Sequence, residues 1–181
     1  MPDREELFAV TIGSPTRLDG PVVLAAPDPR WPAAFAREEE RIRAALGDAA
    51  LAVEHVGSTS VPGLLAKPIV DIALVVGDSA DEAAYVPPLE AAGYALRIRS
   101  PQWEEHRMFK GADPEVNLHV FSPGSAEVER MTRFRDRLRT DRADLERYAA
   151  AKREMAARDW EYLQDYADAK AGVVEDILTR A

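Results

Sequence analysis

The chain has 181 residues, 46% hydrophobic and 30% charged, with no cysteine. That is the composition of a globular protein long enough to close a core, and it excludes disulfides, thiolate zinc sites and cysteine nucleophiles. The formal net charge of -9 counts against a protein that coats a nucleic-acid backbone. It leaves room for a local cationic pocket, because Arg97, Arg99, His106, Arg107 and Lys110 cluster, as do six arginines between Arg130 and Arg142. No stretch reaches the roughly 18 apolar residues of a membrane span. The start, MPDREELFAV, has no basic region followed by an apolar run, so a cytoplasmic protein with no membrane partner is expected.

Residues 1–20 read as an arm or lid anchored by Leu7, Phe8, Val10 and Ile12 and punctuated by Gly13, Pro15 and Gly20. Residues 22–24 are expected as a short strand. A helix starts at DPRWP, runs with Phe35, Ile42, Ala45 and Leu46 near one face, and stops at Gly47. Residues 51–56 alternate as a strand, and residues 69–76 form a central buried strand by their β-branched content. Residues 81–92 are expected as a helix capped by Asp78 or Ser79 and broken or restarted at Pro87-Pro88. Residues 94–99, 107–110 and 115–121 read as strands, the last two joined as an antiparallel hairpin by the GADP turn at 111–114. From Ser125 the pattern is helical. Met131, Phe134 and Leu138 mark a core face, a second helix covers about 141–157, and a third runs from 159 to the C-terminus. The expected fold is α+β, with a mixed or antiparallel sheet. Its parts are an arm (1–20), an α/β core (21–124) and a C-terminal helical segment packed on it (125–181).

Within 51–76, LAVEHVGSTSVPGLLAKPIVDIALVV, one carboxylate, Asp71, sits in an otherwise apolar strand. Its burial costs several kcal/mol, on the order of other buried charges, unless a cation or donors meet it. It is therefore either a metal or substrate contact or a structural acceptor for the nearby loop. Gly57-Ser58-Thr59-Ser60 lets the backbone approach a phosphate and offers amide and hydroxyl donors; the same residues also make an ordinary turn. Twelve residues (59–70) separate Ser58 from Asp71, a loop and return strand long enough to bring them side by side. A Mg²⁺ ion held by that carboxylate and by nucleotide phosphates would account for both features.

Lys67 would neutralise Asp71 or bind a phosphate as a point charge. Arg107 and Lys110 would extend the cationic pocket, and Arg135 either reaches it or pairs with Asp136. The strand at 115–121 puts Glu115, Asn117 and His119 on one face. His119 is either a metal ligand or proton acceptor near Asp71, better suited to Mn²⁺ or Zn²⁺ than to Mg²⁺, or a strand histidine satisfied by hydrogen bonds. His55 carries the same two readings. Tyr148 with Lys152, and Tyr166 with Lys170, read as helix-packing pairs with the lysine stem along the ring.

EHVGSTSVPGLLAKPIVDIALVV, with FRDRL at 134–138, Tyr148 and Lys152 on the next helix and Tyr166 and Lys170 on a closing helix, resembles the GrpB family over residues 22–181. That family is placed in the nucleotidyltransferase superfamily, so the resemblance implies a nucleotidyltransferase-like α+β fold. The superfamily pattern is an apolar residue, Gly, Gly or Ser, a spacer, and a carboxylate-x-carboxylate pair on the next strand. Carried over, Gly57 and Ser58, with Thr59 and Ser60, fill the phosphate turn, and Asp71 fills the first metal-ligand position. Ala73 stands where the second carboxylate belongs. A later strand supplies the superfamily's third acidic ligand, which makes His119 the candidate there. The resemblance thus implies a metal-dependent nucleotidyltransferase. Asp71, Lys67 and His119 would be catalytic, and Asp71 and His119 would hold Mg²⁺ or Mn²⁺. Gly57, Ser58, Thr59, Ser60, Arg107, Lys110 and Arg135 would bind a phosphate-bearing small molecule such as a nucleoside triphosphate. The departure at Ala73 keeps a second expectation open, a catalytically degenerate fold serving as a binding or chaperone-like assembly module. GrpB-like domains also occur fused to dephospho-CoA kinase.

Overall fold

Alternation along a strand sends Val70, Ile72 and Leu74 to one face of a sheet and Asp71 and Ala73 to the other, and the architecture follows that division. The structure, a computed structural model, describes residues 4–180 other than 19, 112 and 114. Strands β1 (Ala52–Val56), β2 (Val70–Val75), β3 (Ala95–Ser100), β4 (His106–Gly111) and β5 (Val116–Phe121) form one sheet in the order β1-β2-β5-β4-β3. β2 runs antiparallel to β1 and parallel to β5, while β3, β4 and β5 pair antiparallel. The sheet is therefore mixed, as expected, and β2 is interior to it. The parallel β2–β5 pair requires a crossover, which the chain makes through helix α3 (Glu82–Ala91) and the β3–β4 pair.

One face of the sheet is dry. Ile72, Leu74, Phe109 and Leu118 pack there with Ile42 of α2 (Trp31–Leu46) and with Tyr85 and Leu89 of α3. Glu38 is the polar exception on α2, 1% exposed. It accepts a 2.5 Å hydrogen bond from the Tyr94 hydroxyl and lies 3.3 Å from Arg41. The opposite face carries Asp71 and lies under the C-terminal helices. Helix α4 (Ala126–Thr140) starts where Ser125 Oγ accepts from the Val128 amide at 3.3 Å, and α5 (Arg142–Ala156) where Asp141 accepts from Asp144 at 3.0 Å. Leu138, Tyr148, Ala149 and Ile177 pack on Val61 and Leu64 of the β1–β2 loop. The helices are thereby fixed against the segment that contains the Gly57 turn.

Several expectations are corrected. Helix α3 runs unbroken through Pro87 and Pro88; buried Tyr85 and Leu89 hold it to the sheet on both sides of the prolines, and the Tyr85 hydroxyl donates to Ser79 O at 2.6 Å. Residues 22–24 form no strand, and the pairing there is a single bridge between Ala25 and Ala66. The arm contains a helix, α1 (Arg4–Val10), with Leu7 buried. Phe8 is exposed because helical spacing turns it away from the face Leu7 uses, and Ile12, beyond the helix, is exposed as its amide bonds Arg97 O. The third C-terminal helix is two, α6 (Leu163–Ala169) and α7 (Ala171–Leu178), with Gly172, a poor helix former, just past the break. The β4–β5 hairpin is present with Gly111 opposite Val116. Residues 1–3 of the expected arm and Ala112 and Pro114 of the expected turn lie outside the described residues. Among the described residues no helix is long and apolar enough to cross a membrane.

Leu118 lies at the centre of this sheet with no exposed surface. Leu118→Ala is expected to cost about 2–5 kcal/mol, read as a lower midpoint in denaturant. Val23→Ala, at a residue 76% exposed, is expected to stay within about 0.5 kcal/mol.

Candidate phosphate-binding site

Val56 pairs with Asp71 across β1 and β2, so the chain turns at Gly57 directly over the carboxylate. Gly57 has φ +67, and a Cβ there would lie 2.8 Å from Asp71 Cβ and nearer still to its Oδ2. Backbone conformation and space both demand glycine. Residues 58–60 then make one 3-10 turn, and its hydroxyls divide. Ser60 Oγ donates to Gly57 O at 2.6 Å. Thr59 Oγ1 donates to Ile69 O at 3.1 Å and meets His55 Nε2 at 3.0 Å. Both side chains are spent on the turn itself, whereas Ser58 faces a cavity of about 800 Å³. This cavity lies between the Asp71 face of the sheet, the C-terminal helices and the arm.

Asp71 Oδ1 accepts a 2.6 Å hydrogen bond from Asn117 Nδ2, its partner in the parallel register. The other end of that amide, Asn117 Oδ1, is buried without a hydrogen-bond partner among the described residues. Three lysines converge on the same carboxylate. Lys152 of α5 is 2% exposed and donates to Ser58 Oγ at 2.6 Å and to Leu65 O at 2.7 Å. Burial, then repulsion from Lys170, pushes its ammonium down to about 7 against the pull of Asp71. Burial and the same neighbour push Lys67 down to about 8. Lys170 is also lowered by burial, with Asp71 and Asp168 opposing. The amines of Lys67 and Lys170 lie 5.7 and 4.6 Å from the centre of the Tyr166 ring. Lys110, opposite Asn117 on β4, adds a further cation to the wall.

His119 stands beside Ala73 in the β2–β5 register, next to the position of the missing carboxylate. Its Nδ1 meets His106 Nε2 at 3.0 Å. Burial lowers both rings, His106 to about 2, so the pair is neutral at pH 7.

Other expected residues are placed elsewhere. Arg107 points to the opposite face of β4, buried, with Nε 2.6 Å from Glu82 Oε1. Arg135 reaches the cavity rim, but its guanidinium donates to Glu54 Oε2 at 2.8 Å, to His55 O at 3.0 Å and to Asp136 Oδ1 at 2.7 Å, a brace from α4 to β1. His55 stacks on Phe35 at 4.7 Å, and its burial lowers it to about 4. In the other direction, Lys152 and Lys170, read from sequence as packing partners of Tyr148 and Tyr166, do lie over those rings while their amines enter the site. A tyrosine–lysine pair recurring at i, i+4 on two helices was the available signal.

Among the described residues no group of three or more His, Cys, Asp or Glu is placed to hold a metal ion. Asp71 and the unpartnered Asn117 Oδ1 offer oxygens on adjacent strands. That donor set suits a hard cation that keeps water and phosphate oxygens as most of its shell. It does not make a dedicated metal centre.

Fold and site together define an α+β protein with a glycine turn over one carboxylate and several lysines around it, one of them fully buried. The family model described as GrpB protein matches residues 21–180, and the chain belongs to that family. It is 57% identical over 177 residues to a UPF0157 protein of Halalkalibacterium halodurans, covering 98% of this chain and 91% of that one. The crystal structure of conserved protein GrpB from Enterococcus faecalis matches with a TM-score of 0.72 and 26% identity, covering 87% of this chain and 98% of that one. A much fainter likeness, TM-score 0.40 and 14% identity over 72% of this chain and 44% of that one, is to Cid1 in complex with the UTP analog UMPNPP.

Two outcomes follow from the geometry. Gly57→Ala is expected to lower the thermal midpoint by more than Gly63→Ala. Both positions have positive φ, but a Cβ at Gly63 meets nothing within 4 Å, so that variant carries only the backbone strain, about 1–3 kcal/mol. The second outcome concerns pH. Unfolded, Lys152 holds its proton to its ordinary 10.5; folded, it releases it near 7. Between those values the unfolded chain binds more protons, so stability rises with pH, and Lys67 adds to the rise from about 8 upward. Thermal melts between pH 7 and 10 should show the increase, and Lys152→Met should flatten it.

Proposed function

We propose that the cavity binds a phosphate-bearing small molecule, with a nucleoside triphosphate as the leading candidate, and that the protein is a nucleotidyltransferase of the α+β type. The observation that carries this reading is the gathering of Lys67, Lys152 and Lys170 around Ser58 and one carboxylate, Asp71. Lys152 is fully buried, and the nearby carboxylates, Asp71 for all three lysines and Asp168 for Lys170, offset the lowering by burial only in part; a polyanion would offset it further. Ser58 Oγ and the turn backbone then meet phosphate oxygens, and the lysines act as point charges on them. An acceptor hydroxyl or phosphate would attack the α-phosphorus in line, its proton passing to neutral His119 while pyrophosphate leaves against the lysines. A Mg²⁺ or Mn²⁺ ion arriving with the phosphates, held by Asp71 and Asn117 Oδ1, would neutralise charge on them.

Thermal shift with pyrophosphate, tripolyphosphate and nucleoside triphosphates, each with and without Mg²⁺ or Mn²⁺, tests the reading. A ligand at 100 times its Kd should stabilise the protein by about 2.7 kcal/mol. Lys152→Met is expected to weaken binding about 10- to 150-fold, the usual range for a lost charged hydrogen bond of about 1.5–3 kcal/mol. Asp71→Asn should remove the metal-dependent part. No shift with any of these ligands overturns the proposal.

Ala73, buried and fully apolar where a second carboxylate would stand, favours a second reading, a binding or assembly module without turnover. Stabilisation by nucleotide with no release of pyrophosphate would select it.

A further inference from the structure

The same cavity extends along β5 to the loop joining β3 and β4, where Trp103 lines the wall with 43% of its surface exposed. Its ring meets His106 and Phe121 edge-on, at 4.9 Å and 73° and at 6.0 Å and 81°, so neither ring stacks flat against it. The next two residues, Glu104 and Glu105, are held at φ +52 and +49. Left-handed backbone at consecutive non-glycine residues is strained and persists only where the surroundings enforce it. The enforcement is visible: the Glu104 carboxylate accepts from Ser125 Oγ and from the Glu127 amide, the latter at 3.5 Å, which ties the loop to the start of α4. The His106 amide returns to Trp103 O at 3.0 Å. A strained, anchored loop thus keeps a large aromatic ring open to the cavity, against the general tendency of apolar side chains to be covered.

The position of that ring relative to the phosphate end is also specific. Asn117, His119 and Phe121 lie on one face of β5. Asn117 touches Asp71, His119 touches His106, and Phe121 touches Trp103. Four residues at about 3.3 Å each put the Trp103 end roughly 13 Å from the Asp71 end, comparable to the reach of a nucleotide from its phosphates to its base.

We infer that Trp103 is a stacking platform for the nucleobase of the phosphate ligand. This rests on the phosphate reading above and extends it to a second subsite. The indole face receives the flat ring while the Gly57 turn and the lysines hold the other end. Stacking tolerates every base, because each has a π-face, so Trp103 confers affinity for nucleotides over plain oligophosphates and not a choice among bases.

The experiment compares a nucleoside triphosphate with tripolyphosphate on the full chain, by titration calorimetry and by tryptophan fluorescence. Trp31, at 7% exposure, and Trp160 give a background present in every variant. Nucleotide should quench the Trp103 signal and tripolyphosphate should bind without doing so. Trp103→Ala should weaken nucleotide binding about 5- to 150-fold, the loss of one stacked base, and leave tripolyphosphate unchanged. Trp103→Phe, which keeps a ring and the anchored loop, should recover part of the loss. If tripolyphosphate binds but Trp103→Ala and Trp103→Phe both keep wild-type nucleotide affinity, the platform is overturned and the phosphate site stands. If neither ligand binds the unaltered protein, the phosphate site falls and the platform with it.

Discussion

Everything at the centre of this molecule is arranged around a carboxylate that a purely apolar strand would not contain. Asp71 is tolerated because its surroundings answer it from several directions: the Asn117 amide from the neighbouring strand, and the charges of Lys67, Lys152 and Lys170 from a loop, helix α5 and the junction of α6 and α7. Asp71, Lys67 and Lys170 are half-buried; Lys152, the fully buried member of the set, would cost several kcal/mol without the others, as uncompensated buried charges do. The β1–β2 register, the glycine at 57 and the packing of α4, α5 and α7 on the β1–β2 loop therefore depend on one another. The compensation is also lopsided. Burial weakens the hold of all three lysines on their protons, and Asp71 restores it only in part.

The division of the sheet into a dry face and a polar face explains why the site holds its shape. The dry face, closed by α2 and α3, gives β2 and β5 a fixed register. That register brings Asp71 beside Asn117 and Ala73 beside His119. The polar face inherits this precision without having to create it. Its own contacts are hydrogen bonds and charge, which orient groups but are worth less when water competes.

Much of the fold was legible because it rests on local signals. α2 has Pro32 at its start and Gly47 at its end, and the strands alternate or run apolar as buried strands do. The Gly57–Asp71 pairing was legible from one misfit residue and a spacing. What failed was anything set by distant partners. Thr59 reads as a donor for a ligand, but its hydroxyl is consumed by Ile69 O across the loop, which no local pattern reveals; Ser60 bonds back to Gly57 O three residues away, a local motif. Lys152 reaches Ser58 across 94 positions; helical spacing identified its neighbour Tyr148 and nothing about the face it would meet. Arg107 was recoverable, since it is an odd number of residues from Lys110 and a strand sends such residues to opposite sides. The unbroken passage of α3 through two prolines was not, because burial of Tyr85 and Leu89 overrides the local penalty.

The site is also discontinuous in the chain, with consequences for how the molecule comes into being. Its turn comes from residue 57, its carboxylate from 71, its amide from 117 and its lysine amines from 67, 152 and 170. Contacts of such wide separation are entropically slow to form and come late in folding. During synthesis from the N-terminus, the sheet's polar face lacks Lys152 and Lys170 until α5 to α7 have been made and docked. The pocket is in this sense a record of completion, present in a finished molecule and absent from any partial one.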